Sequence, residues 1–144
     1  MTEFSVRRAD WNRDRETLRE IRTRVFVEEQ NVPPELEWDG LDERCVHMLA
    51  TVNAVAIGTG RLTPDGHIGR MAVLADWRGR GVGKALLENL TNAAIERGDT
   101  SCQLNAQLTA IGFYERFGFS AHGDTFMDAG IPHRSMTIEF EQAR

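Results

Sequence analysis

The stretch RGRGVGKALL, residues 78–87, constrains the fold more than any other part of the chain. Glycine stands at positions 79, 81 and 83, and an apolar run with helical spacing follows at once. Glycines let backbone amides approach a ligand closely, and the N-terminus of a helix carries a partial positive charge. Because the strand-like segment RMAV (70–73) precedes the loop, the sequence predicts a strand, a phosphate-binding turn and a helix in direct succession.

Hydrophobic periodicity alternates between strand and helix along the chain, without an internal repeat, a linker or a low-complexity tract. The pattern predicts one mixed α/β domain over residues 1–144, with a central sheet and helices on its faces. The predicted strands are 4–9, 46–53, 54–63, 67–74, 101–106, 119–123 and 134–141, and the predicted helices are 12–26, 82–97 and a short one over 109–117.

Several boundaries are predicted from single residues. Asn12 or Asp14 is expected to cap the first helix, and Thr109 is expected to cap the last. Segment 27–40 is acidic and contains two prolines, so it is predicted to be a loop, with a short helix over its first four residues. Segment 124–133 is predicted to be a polar loop between the last two strands.

Composition narrows the class of protein. The net charge of −5 argues against a nucleic-acid binder, because such proteins carry a basic face. The chain has no run of about 18 apolar residues that would span a membrane, and its N-terminus lacks the apolar core of a secretory signal, so a cytoplasmic protein is expected. Cys45 and Cys102 are expected to be buried thiols, and no Cys or His spacing predicts a metal site.

Two common phosphate loops do not fit the glycine-rich stretch. The mononucleotide loop G-x-x-x-x-G-K-[ST] fails because Arg78 replaces its first glycine and Ala85 its hydroxyl, which removes a Mg²⁺ ligand and disfavours a nucleotide hydrolase. The dinucleotide fingerprint G-x-G-x-x-G fails because its third glycine would come one residue early, at Gly83, and because the loop follows four predicted strands. The pattern R/Q-x-x-G-x-G/A fits in full, with Arg78, Gly81 and Gly83 at its fixed positions.

This last pattern, together with Asn105 and the segment FYERFGF (113–119), resembles the two cofactor motifs of the GCN5-related N-acetyltransferase (GNAT) family. The text from NAQLTAIGFYERFGF to GIPHRSM, with VFVEEQNVP near the start, is similar to the small bacterial ElaA/YjcF-type branch. The resemblance covers most of the chain. It implies a mostly antiparallel, twisted sheet of six to seven strands with a splayed strand pair, flanked by about four helices, and acetyl-CoA as cosubstrate without a metal.

The resemblance implies that acetyl-CoA binds where the strand before the glycine loop diverges from the strand that ends at Asn105. Unpaired backbone groups would bind the pantetheine arm like an added strand, and amides of the loop and the first helical turn would hold the pyrophosphate. A solvated position is the alternative for Arg80, and a strand-end turn is the alternative for Asn105. The implied cofactor-binding residues are Met71, Ala72, Val73, Arg78, Gly79, Arg80, Gly81, Val82, Gly83, Lys84 and Asn105.

The same resemblance implies that Tyr114, the one tyrosine of the chain, protonates the departing CoA thiolate. A phenol with a pKa of about 10 can return a proton to a thiolate with a pKa of about 8.5, and a core position is the alternative reading. His67 is the candidate base that takes a proton from the amine, although a histidine after a PDG turn is often solvated. Glu28 and Glu29 compete for that role or bind a cationic substrate, and His133 is expected to line the acceptor pocket.

Together these residues predict an N-acetyltransferase in which an amine attacks the acetyl thioester directly and a backbone amide within 71–73 holds the oxyanion. The alternative is a module of the same fold that binds or senses acyl-CoA without turnover. The acceptor is expected to be a small-molecule or peptide amine, and neither a nucleic acid nor a membrane is an expected partner. The identity of the amine and a homodimer both stay open.

Overall fold

Strands in two antiparallel sheets dominate the computed structural model, which describes residues 3–140. The strands are β1 (Ser5–Ala9), β2 (Val46–Val52), β3 (Val55–Leu62), β4 (Ile68–Val73), β5 (Ser101–Gln107), β6 (Ser120–Asp128) and β7 (Ile131–Glu139). The first sheet has the order β1-β2-β3-β4 and the second has the order β5-β7-β6. The predicted mixed α/β class and the mostly antiparallel sheet are confirmed.

Helices lie between the strands: α1 and α3 pack on the first sheet, and α4 packs against β5 and β6 of the second. They are α1 (Trp11–Arg22), α2 (Pro34–Glu37), α3 (Val82–Glu96) and α4 (Ile111–Phe117). The apolar face of α3 buries Leu86, Leu87 and Leu90 against β2 and β3, as its helical spacing predicts. Gly98, with a φ of 96°, follows α3 in the left-handed conformation that glycine permits at a helix end.

The two sheets meet where β4 begins beside β5. His67 and Gln103 form a parallel bridge there, and the Gln103 amide donates to the Gly66 carbonyl oxygen at 3.0 Å. Beyond this bridge no strand pairing joins β4 to β5 within residues 3–140. The two strands therefore form the splayed pair, with backbone groups along both facing edges.

Close packing of α3 explains two glycines in β3. A Cβ at Gly58 would lie 3.1 Å from the Ala72 carbonyl oxygen and 3.2 Å from two side chains of α3. A Cβ at Gly60 would lie 2.6 Å from the Met71 sulfur. Since larger residues would push α3 away from β3 and β4, these glycines help to set where α3 begins relative to β4.

The first helix is capped by a residue other than those predicted. The carboxylate of Asp10 accepts hydrogen bonds from the free backbone amides at the start of α1, and it lies 2.9 Å from the Asn12 amide. The prediction of Asn12 or Asp14 as the cap is therefore wrong. Asp14 instead accepts two hydrogen bonds from Arg7 at 3.0 Å, and this contact lowers the pKa of its carboxyl group.

Segment 27–40, predicted as a loop with an initial helix, has a different arrangement. Wider helical turns over Thr23–Glu29 extend α1 without a break, and α2 forms further along. α2 begins at Pro34, at a position where a missing backbone N–H costs no helical hydrogen bond. The two prolines thus mark the start of a helix as well as the end of the preceding one.

The polar loop predicted at 124–133 is a β-hairpin. β6 and β7 continue through this segment and are joined by Ala129 and Gly130, whose φ angles of 52° and 77° suit a two-residue turn. The polar residues misled the prediction because most of β6 is exposed to solvent. Thr109 is likewise not a helix cap, since it lies in a tight turn before α4 and no side chain of the described residues caps that helix.

A buried cluster of charged side chains ties α1 to α2 and β3. Arg22, which is 1% exposed, donates to Glu37 at 2.7 Å and to Asp42 at 2.8 Å. Arg61 of β3 donates to the same Asp42 carboxylate at 2.9 Å and to Asp39 at 2.9 Å. Each charge has an opposite charge at hydrogen-bond distance, so the segment between α2 and β2 is held over the first sheet.

Replacing Arg22 with Met is expected to lower the free energy of unfolding by about 3–5 kcal/mol, because two buried carboxylates lose their common partner. Urea unfolding of the variant and the wild-type protein measures this difference. Arg24→Met is the matched control: Arg24 is exposed on the next turn, and its replacement is expected to change stability by about 0.5 kcal/mol or less. Equal effects of the two substitutions would contradict the role given to the cluster.

Candidate active site

A cavity of about 500 Å³ fills the gap between β4 and β5. Residues 68–71 of β4 and 104–107 of β5 line its two edges. One wall comes from the end of the extended α1 and from α2, and another comes from the β6–β7 hairpin. The ionisable side chains that line the cavity are Glu37, Arg61, Asp65, His67, Arg70, Tyr114, Asp128 and His133.

The glycine loop before α3 has the geometry of an anion-binding turn. Gly79 and Gly81 have φ angles of 76° and 86°, and no other group lies within 4 Å of where a Cβ would stand at either position. α3 begins at Val82, and no side chain within residues 3–140 caps it. The amides of its first turn therefore remain available to a bound anion such as a pyrophosphate.

Arg78 connects the glycine loop to the end of the extended α1. Its guanidinium donates to both carboxylate oxygens of Glu29, at 2.6 and 2.7 Å, and to the Val73 carbonyl oxygen at 2.9 Å. The hydrogen bond from Arg78 lowers the pKa of Glu29. Arg80 stacks on Trp77, with 5.0 Å between the guanidinium carbon and the ring centroid, and Lys84 is exposed. Arg78 is thus already bound to a carboxylate, Arg80 lies on an aromatic ring, and Lys84 is free to contact a ligand.

The edge of β4 has an irregular backbone at the cavity. Thr59 pairs with Ala72, but Arg61 pairs with Gly69, so β4 contains one extra residue between these pairs. Arg70, within this bulge, has a φ of 50°, which is unusual for a residue with a side chain. A bulge turns neighbouring amides out of the regular ladder and can aim them at a ligand.

Asn105 and Tyr114 approach the cavity from its other edge. Asn105 lies on β5, where its side-chain oxygen accepts a hydrogen bond from the Ser135 hydroxyl at 3.2 Å. Tyr114 lies on α4, with its ring edge-to-face against Phe113 and Phe119 at centroid distances of 5.0 and 5.9 Å. Burial raises the pKa of Tyr114 to about 12. The phenol therefore keeps its proton through neutral and moderately alkaline pH.

The candidate base and acceptor residues fall into two groups. His67 and His133 both line the cavity, from opposite edges of the gap. The His67 side chain is 47% exposed and lies 3.4 Å from the carboxylate of Asp65. Glu28 and Glu29 do not line the cavity, and Glu29 is engaged by Arg78. The structure thus brings Tyr114 and the two histidines together but leaves the two glutamates outside.

Sequence reasoning missed the five charged residues of the cavity lining, which are Glu37, Arg61, Asp65, Arg70 and Asp128. Glu37 and Arg70 lie 3.4 Å apart, and Arg61 lies behind them in the buried cluster. Burial raises the pKa of Glu37, although the charges of Arg22, Arg70 and Arg61 oppose this rise. The available sequence signal for Glu37 was the pair of prolines before it, because proline is common at the first position of a helix. The partners of Glu37 come from distant strands and could not be inferred.

Two features are absent from residues 3–140. None of the helices there has the length and hydropathy that crossing a membrane requires. No group of three or more His, Cys, Asp or Glu residues in this part of the chain is arranged to hold a metal ion.

Comparison with known proteins relates this arrangement to acyl transfer. The acetyltransferase (GNAT) domain family matches residues 14–140. The uncharacterized N-acetyltransferase YjcF of Bacillus subtilis (strain 168) is 38% identical over 120 residues, which cover 81% of this chain and 86% of YjcF. The crystal structure of Escherichia coli ElaA is 28% identical with a TM-score of 0.81, and it covers 96% of this chain and 100% of ElaA. An acyl-CoA N-acyltransferase from Pseudomonas aeruginosa is 29% identical with a TM-score of 0.79, covering 96% and 99%.

Ultraviolet titration is expected to show that Tyr114 ionises with a midpoint of about 12. The chain has a single tyrosine, so tyrosinate absorbance reports this residue alone. In denaturant the midpoint is expected to return to about 10, because water then solvates the phenolate. A midpoint of about 10 in the folded protein would show that the phenol is not desolvated.

Proposed function

Because this chain belongs to the GNAT acetyltransferase family, we propose that it transfers an acetyl group from acetyl-CoA to an amine by direct attack, with Tyr114 as the general acid. Family membership supports acyl-CoA-dependent N-acyl transfer in general. The observation that carries the specific proposal is the cavity between the splayed strands, which has Met71 of β4 on one edge and Asn105 and Tyr114 on the other. The glycine loop and the uncapped start of α3 follow β4 outside the cavity lining.

The residues of the loop and of β4 fit the cofactor. Acetyl-CoA supplies an acetyl thioester, whose carbonyl carbon is open to attack by a nitrogen lone pair. Gly79, Gly81 and the amides of the first turn of α3 would hold the pyrophosphate, with Arg80 and Lys84 nearby to add positive charge. The β4 edge over Met71, Ala72 and Val73 would bind the pantetheine arm, and Asn105 would contact it from β5.

Arg78 takes a different part in the proposal from that of a simple phosphate ligand. Its guanidinium already binds Glu29 and the Val73 carbonyl oxygen, so it stabilises the loop and β4 in their observed relation. Glu29 would therefore support the cofactor side of the site, whereas the sequence predicts it as a base or as a contact to a cationic substrate. Glu28 is exposed, and a contact with an acceptor would occur outside the cavity.

Tyr114 suits the departure of the CoA sulfur. As the nitrogen–carbon bond forms and the carbon–sulfur bond breaks, the sulfur leaves with the electron pair and takes the phenolic proton. Burial raises the pKa of Tyr114 to about 12, and the same apolar surroundings raise the proton affinity of a thiolate formed beside it. The proton therefore moves between two desolvated groups. A backbone amide of the β4 bulge, next to Arg70, would stabilise the oxyanion meanwhile.

The acceptor is proposed to be a small-molecule or peptide amine. Arg61, Arg70 and Arg22 are matched by the carboxylates of Glu37, Asp39 and Asp42, so the buried cluster has no excess positive charge. Asp65 and Asp128 add negative charge to the cavity lining, which favours a cationic amine. His67 and His133 remain in this cavity as groups that can take a proton from it.

Thermal unfolding with acetyl-CoA, ATP or NAD tests the proposal, followed by a screen of amines for release of free CoA thiol. Acetyl-CoA at 100 times its Kd is expected to stabilise the protein by roughly 2.7 kcal/mol, a rise of several degrees in Tm, whereas ATP and NAD should not. A rise with ATP alone would overturn the proposal. Stabilisation by acetyl-CoA without turnover of any amine would favour the binding or sensing module.

Replacing Gly81 with Val is expected to weaken acetyl-CoA binding by about tenfold or more, because a β-branched residue cannot hold a φ of 86° without moving the loop amides. Isothermal titration calorimetry measures the affinity. Gly123→Val is the matched control, since Gly123 has a φ of 76° and open surroundings on β6, away from the loop. If the two variants bound acetyl-CoA with equal affinity, the loop would have no specific part in cofactor binding.

Tyr114→Phe is expected to lower kcat by about 10²-fold while the Kd for acetyl-CoA changes little, because the phenolic hydroxyl acts only as the thiolate leaves. Steady-state kinetics and calorimetry on the same preparation measure the two quantities. Phe113→Leu, a change in the adjoining ring, controls for altered packing. Unchanged kcat in the Tyr114 variant would assign the proton to water or to another group.

A further inference from the structure

His133 is held in one ring orientation on the cavity wall. It is 8% exposed on β7, and its ring stacks on Phe126 of β6 with 6.0 Å between centroids. Its Nδ1 lies 2.6 Å from the Ile131 carbonyl oxygen. Pro132 stands between these residues, and its ring restricts the backbone at this point. The stacking, the short contact and the proline together restrict how the imidazole can turn.

The contact with Ile131 also determines the tautomer of His133. A carbonyl oxygen accepts hydrogen bonds and cannot donate them, so Nδ1 must carry a hydrogen. In the neutral ring, Nε2 then holds a lone pair. No group within residues 3–140 is hydrogen-bonded to Nε2, and His133 lines the cavity. The arrangement resembles that of a general base whose second nitrogen is oriented by a fixed acceptor.

We infer that Nε2 of His133 takes the proton from the acceptor's ammonium group, an inference that rests on the proposed acetyl transfer. The nitrogen–hydrogen bond of the ammonium breaks, a bond from that hydrogen to Nε2 forms, and the positive charge passes to the imidazole. The amine keeps the electron pair with which it attacks the thioester carbonyl carbon. The imidazolium later releases this proton to water. Attack leaves the nitrogen with one more hydrogen than the amide product has. The sulfur takes the proton of Tyr114 as it leaves, and the surplus proton of the nitrogen then passes to the phenolate and restores the phenol.

Other candidate bases are less suited to this transfer. The His67 side chain is 47% exposed and lies beside Asp65, whose side chain is 76% exposed, so water competes for its proton. Glu37 is bound to Arg22 at 2.7 Å, and protonating it would leave that buried arginine with one fewer counter-charge. Glu29 is bound to Arg78 outside the cavity. His133 is the buried, oriented group with an unengaged nitrogen.

Several charged groups share the cavity with His133. The strand register places Asp128 of β6 on the same face as His133, and Gln107 of β5 is its uncharged neighbour on the other side. Tyr114 faces the cavity from α4 and stays neutral, whereas Glu37 and Arg70 form an opposed pair on the far wall. Asp65 and Arg61 also line the cavity.

Two small nucleophiles separate a base from a residue that only supports the structure. Ethylamine is mostly protonated at neutral pH and needs a base, whereas hydroxylamine is mostly unprotonated and does not. In His133→Asn the side-chain amide can still donate to Ile131, but the basic nitrogen is lost. The acetylation rate with ethylamine is expected to fall by about 10²-fold, with loss of the acidic limb of its pH profile, while the hydroxylamine rate changes little.

His122→Asn is the matched control, and His67→Asn tests the competing base. His122 is exposed on β6 and bonded to Thr137, and it does not line the cavity, so its replacement should leave both rates unchanged. Loss of the ethylamine rate and of its acidic limb in His67→Asn, instead of in His133→Asn, would overturn the inference in favour of His67. Equal losses with both nucleophiles in His133→Asn would also overturn it, because they would indicate a structural role.

A measurement without turnover completes the test. Long-range nitrogen–proton NMR spectra of histidine-labelled protein are expected to show His133 with hydrogen on Nδ1 and a bare Nε2. The opposite tautomer would overturn the inference. Failure of the proposed function is recognised separately, by absence of stabilisation with acetyl-CoA. Stabilisation without acetylation of either nucleophile would reject a base role for His133 while retaining the cofactor site.

Discussion

The separation of β4 from β5 is the constraint on which the rest of the structure depends. One parallel bridge, between His67 and Gln103, joins the two sheets before the strands diverge. A continuous sheet would have used the facing backbone groups for its own ladder and left no room for a cavity. The divergence instead opens a gap of about 500 Å³ with polar backbone along both edges. α4 and the β6–β7 hairpin line this gap, and the glycine loop follows the strand that forms one of its edges.

The buried charged cluster gives this gap a defined outer wall. Arg22 and Arg61 share the Asp42 carboxylate, and Glu37 carries the cluster to the cavity surface. An apolar cluster of similar volume could hold the same segment with less desolvation cost. Charged groups, however, place a carboxylate and a guanidinium in the cavity lining with fixed partners. This wall of the cavity thus carries polar side chains without leaving a buried charge unmatched.

Arg78 shows how one residue can link the two halves of the site. The motif placed it beside the pyrophosphate, where a positive charge has an evident use. In the fold its guanidinium spans the Glu29 carboxylate and the Val73 carbonyl oxygen, so it couples the extended α1 to β4. Because Glu29 lies 49 residues away in sequence, nothing local could have indicated this contact. A ligand bound along β4 would therefore meet a backbone already held by the extended α1.

The sequence by itself determined the elements whose signals are local. Helical spacing predicted α3, and the closely spaced glycines predicted the loop before it, where Gly79 and Gly81 do adopt positive φ. Alternation of apolar and polar residues predicted most strands. Two local predictions were wrong: Asp10, and neither Asn12 nor Asp14, caps α1, and the segment predicted as a polar loop is an exposed hairpin. Tertiary structure alone decided which side chains share the cavity, because contacts such as Glu37 with Arg70 and the burial of Tyr114 depend on distant segments. It also decided the ring orientation of His133, whose hydrogen bond is local but whose stacking and access to the cavity require the pairing of β6 with β7.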